Sequence, residues 1–515
     1  MQQRTRKIMY ETHAWAGLIL GIFLFVICFS GSVSLFVGEL ATWEHPELRR
    51  SWNPAPFSLE SRLQDARAAG FNYPNLFVRM PNPARPYLHL MHFSDGEHYE
   101  LRLDPHDGSV LPKTHAEIAE FLGHLHTDLH LPYPFGRYLI GFSGIFLLLL
   151  MVTGIVIHRK RWAELFLTRR PKTRRMWLTD LHKLLGTWSL PFITVIAFTG
   201  AILGLLGFLG GFMALASYDG DVAAATAAFT GPAAQKQDKP GRMLSLDALR
   251  DRALQEQPKL QIQYVEISEY GDQGAHVEFS GPVRGTLTFQ NTFIYNLHSG
   301  AEVHRVDWLA GGLWSRLFGM VTPLHFASFG GTAMKWLYFF LGLGMTLLSA
   351  TGTMIWLEKR LNQRRKAAAP ASTERFARVA LGICGGLPAA TIALFWVHRL
   401  YPRADDHDLV GAPLVFWLVW LALTLVACFG PPPKALARPL LLGSGLAAAA
   451  VPVLNGLTTG HFFWDSWRMN WFYVFGVDAT FLLLGLGACW YARRFHPAPA
   501  AKTEMADSIT QPQES

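Results

Sequence analysis

The sequence predicts a mainly α-helical membrane protein, with eight transmembrane helices and two α+β domains on one side of the bilayer, arranged as an internal duplication. Three observations carry this. Half of the 515 residues are hydrophobic, and they gather in runs of the roughly 20 residues that span a bilayer as a helix. Two long polar stretches interrupt the runs. The same short motifs recur at a fixed offset, the mark of a repeated unit.

Taken in order, the apolar runs are 14–37, 137–157, 186–213, 333–357, 378–398, 413–429, 438–456 and 470–491. The first follows Arg4, Arg6 and Lys7, as a signal peptide would. Its apolar core exceeds the usual 7–15 residues, so a retained helix is expected. Units follow: 1–37, an outer domain 38–136, the second and third spans with their basic loop at 137–213, a second outer domain 214–332, a fourth span in 333–366, four further spans in 367–496, and a disordered tail at 497–515. Within the outer domains, alternating apolar and polar residues predict strands, for example 99–103 and 286–295. Segments 58–69 and 245–255 predict a helix in each, and the Ala-rich stretch 221–242 predicts a linker.

Charge sets the orientation. Residues 158–185 hold nine Lys and Arg, including Arg159, Lys160, Arg161, Arg174 and Arg175, and 358–378 hold seven more. Arg493 and Arg494 follow the last span, whereas 399–412 and 457–469 carry only Arg399, Arg403 and Arg468. Positive residues stay inside, so both termini are expected in the cytoplasm and both domains outside. The net charge of +8 then reports topology and gives no reason to expect nucleic acid. Cys28, Cys384, Cys428 and Cys489 all lie in apolar runs, which predicts buried small hydrophobes and no disulfides.

The repeat is read from small motifs. His13 with Gly17 and Ser30-Gly31 matches His182 with Gly186 and Thr199-Gly200 at a constant offset of 169. Leu129-His130-Leu131 precedes the second span as Leu324-His325-Phe326 precedes the fourth, and Thr153-Gly154 pairs with Thr351-Gly352. Asp104-Pro105-His106-Asp107-Gly108 resembles Asn296-Leu297-His298-Ser299-Gly300. The unit is helix, outer domain, helix. Because each unit crosses twice, the copies are parallel about an axis along the membrane normal.

Of the twenty histidines, six form the candidate site. His13, His182 and His158 fall at the cytoplasmic ends of spans. His130 and His325 fall at outer ends, with His126 one turn before His130 if that segment is helical. Polar side chains at such depth are costly and usually functional. Two imidazoles from facing helices can bind one iron axially, as a b-type haem requires, without burying charge. Gly17, Gly21, Gly186 and Gly200 either leave room for a macrocycle or pack helices closely. A c-type haem lacks its Cys-x-x-Cys-His, and zinc held by histidine alone stays open. In the last four spans, His398, His407 and His461 read as interfacial beside Trp464, Trp467 and Trp471. Asp478 reads as functional, an acid inside an apolar run.

The runs Thr12-His13-Ala14-Trp15-Ala16-Gly17, Leu125-His126 with Leu129-His130-Leu131-Pro132, and Thr153-Gly154-Ile155-Val156-Ile157-His158-Arg159 resemble the PepSY-associated transmembrane family. That family includes PiuB-like iron-regulated membrane proteins and FoxB-type ferric-siderophore reductases. The resemblance covers about 5–366. It implies PepSY-like periplasmic domains in a bacterial inner membrane and two haem b groups. His13, His182, His130 and His325 are the expected iron ligands, with His126 and His158 as candidates to replace one of them. Trp356 stands where His158 stands in the other copy. Electrons from an unidentified cytoplasmic or quinol donor would enter near His13, His182 and His158, cross to the outer haem and leave to a ferric siderophore. Fe(II) would be released for uptake. The rival expectations are a non-enzymatic PepSY protein regulating a peptidase, and a siderophore permease.

Overall fold

The structure, a computed structural model, describes residues 3–94, 96–114, 116–158, 173–362, 371–401 and 411–494. Arg159, Lys160 and Arg161 of the basic loop, Arg403, His407 and the tail 497–515 lie outside these.

The chain opens with α1 (Gln3–Ser34) and a short α2 (Val37–Glu44). The first sheet-forming segment follows as α3 (Leu59–Ala68), β1 (Leu76–Arg79), β2 (Leu88–Ser94), β3 (Glu97–Leu103) and α4 (Glu117–Thr127). Helix α5 (Phe135–Ile157) crosses back. The third apolar run is not the single helix 186–213 that the sequence predicts. It divides into α6 (Arg174–Trp188), α7 (Leu190–Gly204) and α8 (Leu206–Ser217), with a bend of 67° between α6 and α7. Pro191 explains the first break, because it lacks an N–H and suits only the first turn of a helix. The 221–242 stretch also departs from expectation. It contains α9 (Val222–Thr230), which Asp221 starts by accepting the Ala224 N–H at 3.0 Å. Five alanines in nine residues then favour helix over linker.

The second sheet-forming segment comprises α10 (Leu246–Glu256), β4 (Tyr264–Ser268), β5 (His276–Gly281), β6 (Asn291–Asn296), β7 (Glu302–Val306) and α11 (Leu313–Phe326). The expected strand 286–295 begins only at Asn291, because a turn with Gly285 at φ +83° occupies the preceding residues. Then come α12 (Gly331–Asn362), α13 (Ala371–Leu400), α14 (Gly411–Phe429), α15 (Pro433–Thr459), α16 (Phe463–Arg468) and α17 (Phe472–Arg494). Among the described residues seven helices are long and apolar enough to cross a membrane, or eight if the bent α6–α7 pair is one span.

The two sheet-forming segments do not stand apart. β1 pairs antiparallel with β4, joining everything into one seven-stranded sheet of order β3-β2-β1-β4-β5-β6-β7. Helices α3 and α10 cover one face, and a single core draws Leu59, Leu63, Val78 and Leu90 from one segment and Leu246, Val265, Phe279 and Tyr295 from the other. The helices cap each other. Asp247 of α10 accepts the Leu59 N–H of α3 at 2.8 Å, and Glu60 of α3 accepts the Leu246 N–H of α10 at 3.0 Å. The turns after β3 and β6 also match. Gly108 (φ +75°) and Gly300 (φ +73°) donate to Asp104 and Asn296, whose side chains accept the N–H groups of His106 and His298.

In the helical layer, α1 packs on α12 and α5 packs on α7, a matching pair of contacts between the halves. Glycines permit the approach: a Cβ on Gly204 would lie 2.6 Å from the Cα of Gly141. Helices α13 to α17 dock on α1, α2 and α4 through Phe25, Trp43, Phe121, Leu387, Phe395 and Phe416. A buried polar clasp adds to this. Trp43 Nε1 and Asn455 Nδ2 donate to the two oxygens of Asp478 at 2.8 and 2.9 Å. Arg49 donates to Asn455 Oδ1 at 3.2 Å, and the Arg399 guanidinium covers the Trp43 ring at 4.0 Å. Asp478, which the sequence marks as functional, is 0 % exposed with both oxygens occupied. It ties α15 and α17 to α2.

Candidate functional site: two histidine pairs joining the halves

Each of the two histidine pairs takes one member from each half of the chain. His13 of α1 and His182 of α6 lie with ring centres 6.3 Å apart, their planes at 82°. On the sheet side, His126 of α4 and His325 of α11 lie 6.2 Å apart at 20°. Between His13 and the stretch of α1 that holds His126, residues 27–31, the rise of an α-helix gives about 21 to 27 Å. The pairs therefore sit toward opposite ends of the helical bundle.

The ring tautomers follow from their partners. His13 Nδ1 is 3.0 Å from the Leu150 carbonyl and 3.0 Å from Thr153 Oγ1. His182 Nδ1 repeats this with Leu348 O at 3.0 Å and Thr351 Oγ1 at 3.1 Å. His126 Nδ1 is 3.1 Å from Ile27 O. A carbonyl only accepts, so these three nitrogens carry the proton. His325 Nδ1 lies 3.0 Å from Thr199 Oγ1, whose own hydrogen goes to Val195 O at 2.6 Å, so this hydroxyl accepts too. In all four rings Nε2 is left with its lone pair, the state in which histidine ligates a metal.

Glycines seat the rings. A Cβ on Gly154 would stand 3.3 Å from His13 Cε1, and one on Gly352 would stand 3.3 Å from His182 Cε1. For Gly200 against His325 the distance is 3.1 Å, and for Gly31 against His126 it is 2.6 Å. Each Ser/Thr-Gly doublet of the sequence repeat is thus the seat of one histidine. Of the four glycines the sequence put forward, Gly200 meets a ring. Gly17, Gly21 and Gly186 face Leu150, Thr353 with Ser349, and Leu348, and serve helix packing.

His130 is not the counterpart of His325. Leu129 and His130 both adopt left-handed backbone (φ 56°), which ends α4 and turns the chain toward α5. The His130 ring stacks on Phe121 at 4.3 Å, and its Nε2 is 3.0 Å from Phe121 O. A carbonyl partner there takes the nitrogen that a metal would need. His126, one turn earlier, takes the place facing His325. Its helix is anchored by Glu44, whose carboxylate accepts the N–H groups of Ile118 and Ala119 at 2.5 and 3.2 Å. His158 is the C-cap of α5 and belongs to neither pair.

The spacing can be tested against an implied iron. A metal–imidazole nitrogen bond of about 2.0 Å, with roughly 1.1 Å more to the ring centre, puts two axial rings about 6.2 Å apart. Both pairs have that separation and leave Nε2 without a proton, so His13 with His182 and His126 with His325 would be the residues to hold one metal each. A family profile for the PepSY-associated TM region matches residues 10–359. The chain belongs to the PepSY-associated transmembrane family. All four paired histidines, their threonines and their glycines fall inside the match, and α13 to α17 fall outside it. The family likeness extends to the uncharacterised protein PA4219 of Pseudomonas aeruginosa, 34% identical over 352 residues, 65% of this chain and 86% of that one. Sequence reasoning missed Gly31, Gly154 and Gly352 as ring seats and Thr199 as the acceptor that orients His325. The recurring Ser/Thr-Gly doublet was the available signal.

Proposed function

We propose that this PepSY-associated protein carries two haem b groups, one between His13 and His182 and one between His126 and His325, and reduces a ferric siderophore outside the bacterial inner membrane. The observation that carries the reading is the common separation of 6.2 and 6.3 Å in two ring pairs with the same tautomer. When bound, haem supplies one-electron exchange at an iron whose potential depends on its axial ligands and their hydrogen bonds.

The chain's own residues supply the rest. Leu150, Leu348, Ile27 and Thr199 hold the Nδ1 protons, which fixes each ring and makes Nε2 a stronger donor. The apolar helices exclude water from the path between the pairs. Electrons enter on the side of His13 and His182, as the positive-inside asymmetry orients the chain, and leave near His126 and His325. One electron converts Fe(III) to Fe(II), which hard oxygen chelators hold less tightly. The matched halves are read as an internal duplication of one helix–domain–helix unit.

The test is a reduced-minus-oxidised absorption spectrum of the detergent-purified protein. Haem b bands with about two haems per chain are expected. Reduced protein mixed with a ferric siderophore should then reoxidise and deliver Fe(II) to a ferrous chelator. A colourless protein overturns the haem assignment, and a haem protein inert to ferric chelates overturns the substrate.

A further inference from the structure

A second feature lies across α1 from the sheet-side histidine pair. Between α1, α2 and α12 on one side and α13, α15 and α17 on the other runs an apolar slot of about 290 Å³. Along α17 it reaches from Phe472 to Ala488, about 24 Å at the helical rise. Its mouth on the sheet side is aromatic, with Phe36, Trp336, Phe339, Phe472 and Tyr473 around Glu39. Glu39 is 3 % exposed. Its Oε1 accepts from Lys335 Nζ at 2.7 Å, while Oε2 is buried with no hydrogen-bond partner among the described residues. A buried carboxylate oxygen left unpaired is expensive, and the missing group must be a donor.

We propose that this slot binds a lipid-soluble quinol, with a ring hydroxyl donating to Glu39 Oε2, the ring among the mouth aromatics and the polyprenyl tail along α17. The chemistry narrows the occupant. It must be neutral apart from its donor, because a lipid phosphate would set a second buried anion against Glu39. It needs a flat ring for the aromatic mouth and a long apolar tail for the slot. Position gives it a use. Phe29 and Val33 line the slot on the face of α1 opposite the Ile27 carbonyl and Gly31 that seat His126, about 200° around the helix, so α1 stands between the slot and the pair. A quinol here is a membrane-borne electron source for the sheet-side pair, in addition to the path across the bilayer.

The redox use rests on the haem reading; the binding does not. Oxidation of the quinol to quinone yields two electrons; an iron held by His126 and His325 would supply the one-electron exchange that hands them singly to two Fe(III). The two protons go to Glu39 Oε2 and to water on the sheet side.

The test is equilibrium binding of decylubiquinol and decylubiquinone to the full-length protein in detergent. Saturable binding of about one quinol per chain is expected, at least tenfold tighter than the quinone, because only the reduced ring donates. Glu39→Gln should bring the two forms close to parity, since an amide both donates and accepts. Gly476→Leu should weaken both at least tenfold. A Cβ there meets only Trp336 at 3.8 Å, so the side chain enters the slot without disturbing backbone or the Glu39–Lys335 pair. Absence of saturable binding overturns the proposal. So do equal affinities for both forms in the unaltered protein, or binding indifferent to Gly476→Leu in a variant that still elutes as a single species. Tight binding by a colourless protein would instead overturn the haem reading and leave the slot assignment standing.

Discussion

A histidine ligates through whichever nitrogen its other hydrogen bond leaves free, and here four rings are tied at Nδ1. This separates His126 from its neighbour four residues on. His126→Ala should remove about half of the bound haem, and His325→Ala the same half, while His13→Ala and His182→Ala remove the other. His130→Ala should leave haem content unchanged, because its Nε2 already meets Phe121 O. Haem-to-protein ratios and the bands that survive in each variant check this, and loss of haem from His130→Ala alone would reverse the assignment. Asp478 is settled by the same kind of accounting. Asp478→Ala leaves the buried Trp43 and Asn455 donors without an acceptor and removes one of the anions near Arg49 and Arg399, a cost of about 3 kcal/mol. A marked fall in melting temperature in detergent is expected, with Asp478→Asn recovering only part of it, because an amide accepts from one of the two donors and sets its NH2 against the other. A proton-path role predicts the opposite: normal stability for both variants and lost electron transfer for Asn.

At the scale of elements, the sheet carries a pH dependence. Glu278 of β5 lies directly across from Glu266 of β4. Burial, then the charge of Glu266, pushes the Glu278 carboxyl from 4.5 up to about 7. The folded form therefore keeps a proton that the unfolded chain releases near 4.5. The stabilisation is full below about 4.5 and is lost as pH rises through about 7. Glu278→Gln should accordingly raise the melting temperature of the outer domain at pH 8 and leave it nearly unchanged at pH 4.5. Equal shifts at both pH values would show that the carboxyl does not titrate in this window. Strands β2 and β3, at the far edge of the sheet, behave oppositely. Burial raises Glu100, but its hydrogen bond to His89 and the charge of Arg102 outweigh it and bring it down to about 2. Two half-buried carboxylates on one sheet thus differ because one faces a like charge and the other faces cations.

Across the whole molecule, pairing of β1 with β4 and the two histidine pairs all join one half of the chain to the other. Neither half completes a site alone. The sidedness of this assembly is open to a direct measurement. Cysteine placed at the exposed Ser94 and Ser299 should react with an impermeant maleimide added from the periplasmic side, whereas Thr173→Cys should react only after permeabilisation. The reverse pattern would invert the direction proposed for electron flow.

Hydropathy and charge were sufficient to read the membrane class, most spans and the outer helices 58–69 and 245–255, whose Ser58 and Ser245 do cap α3 and α10. These depend on local periodicity and on capping, which neighbouring residues specify by themselves. The repeated Ser/Thr-Gly doublets were likewise visible, and they mark where a ring must sit against bare backbone. Which ring sits there was decided only by tertiary structure. His126 and His130 are four residues apart on one predicted helix face, and spacing alone does not choose between them. Left-handed backbone at Leu129 and His130 turns one away, while the Ile27 carbonyl of α1 holds the other. The same holds for the single sheet and the burial of Asp478. Each depends on partners some 20 to 440 residues away, and contacts over such separations leave no periodic trace in the sequence.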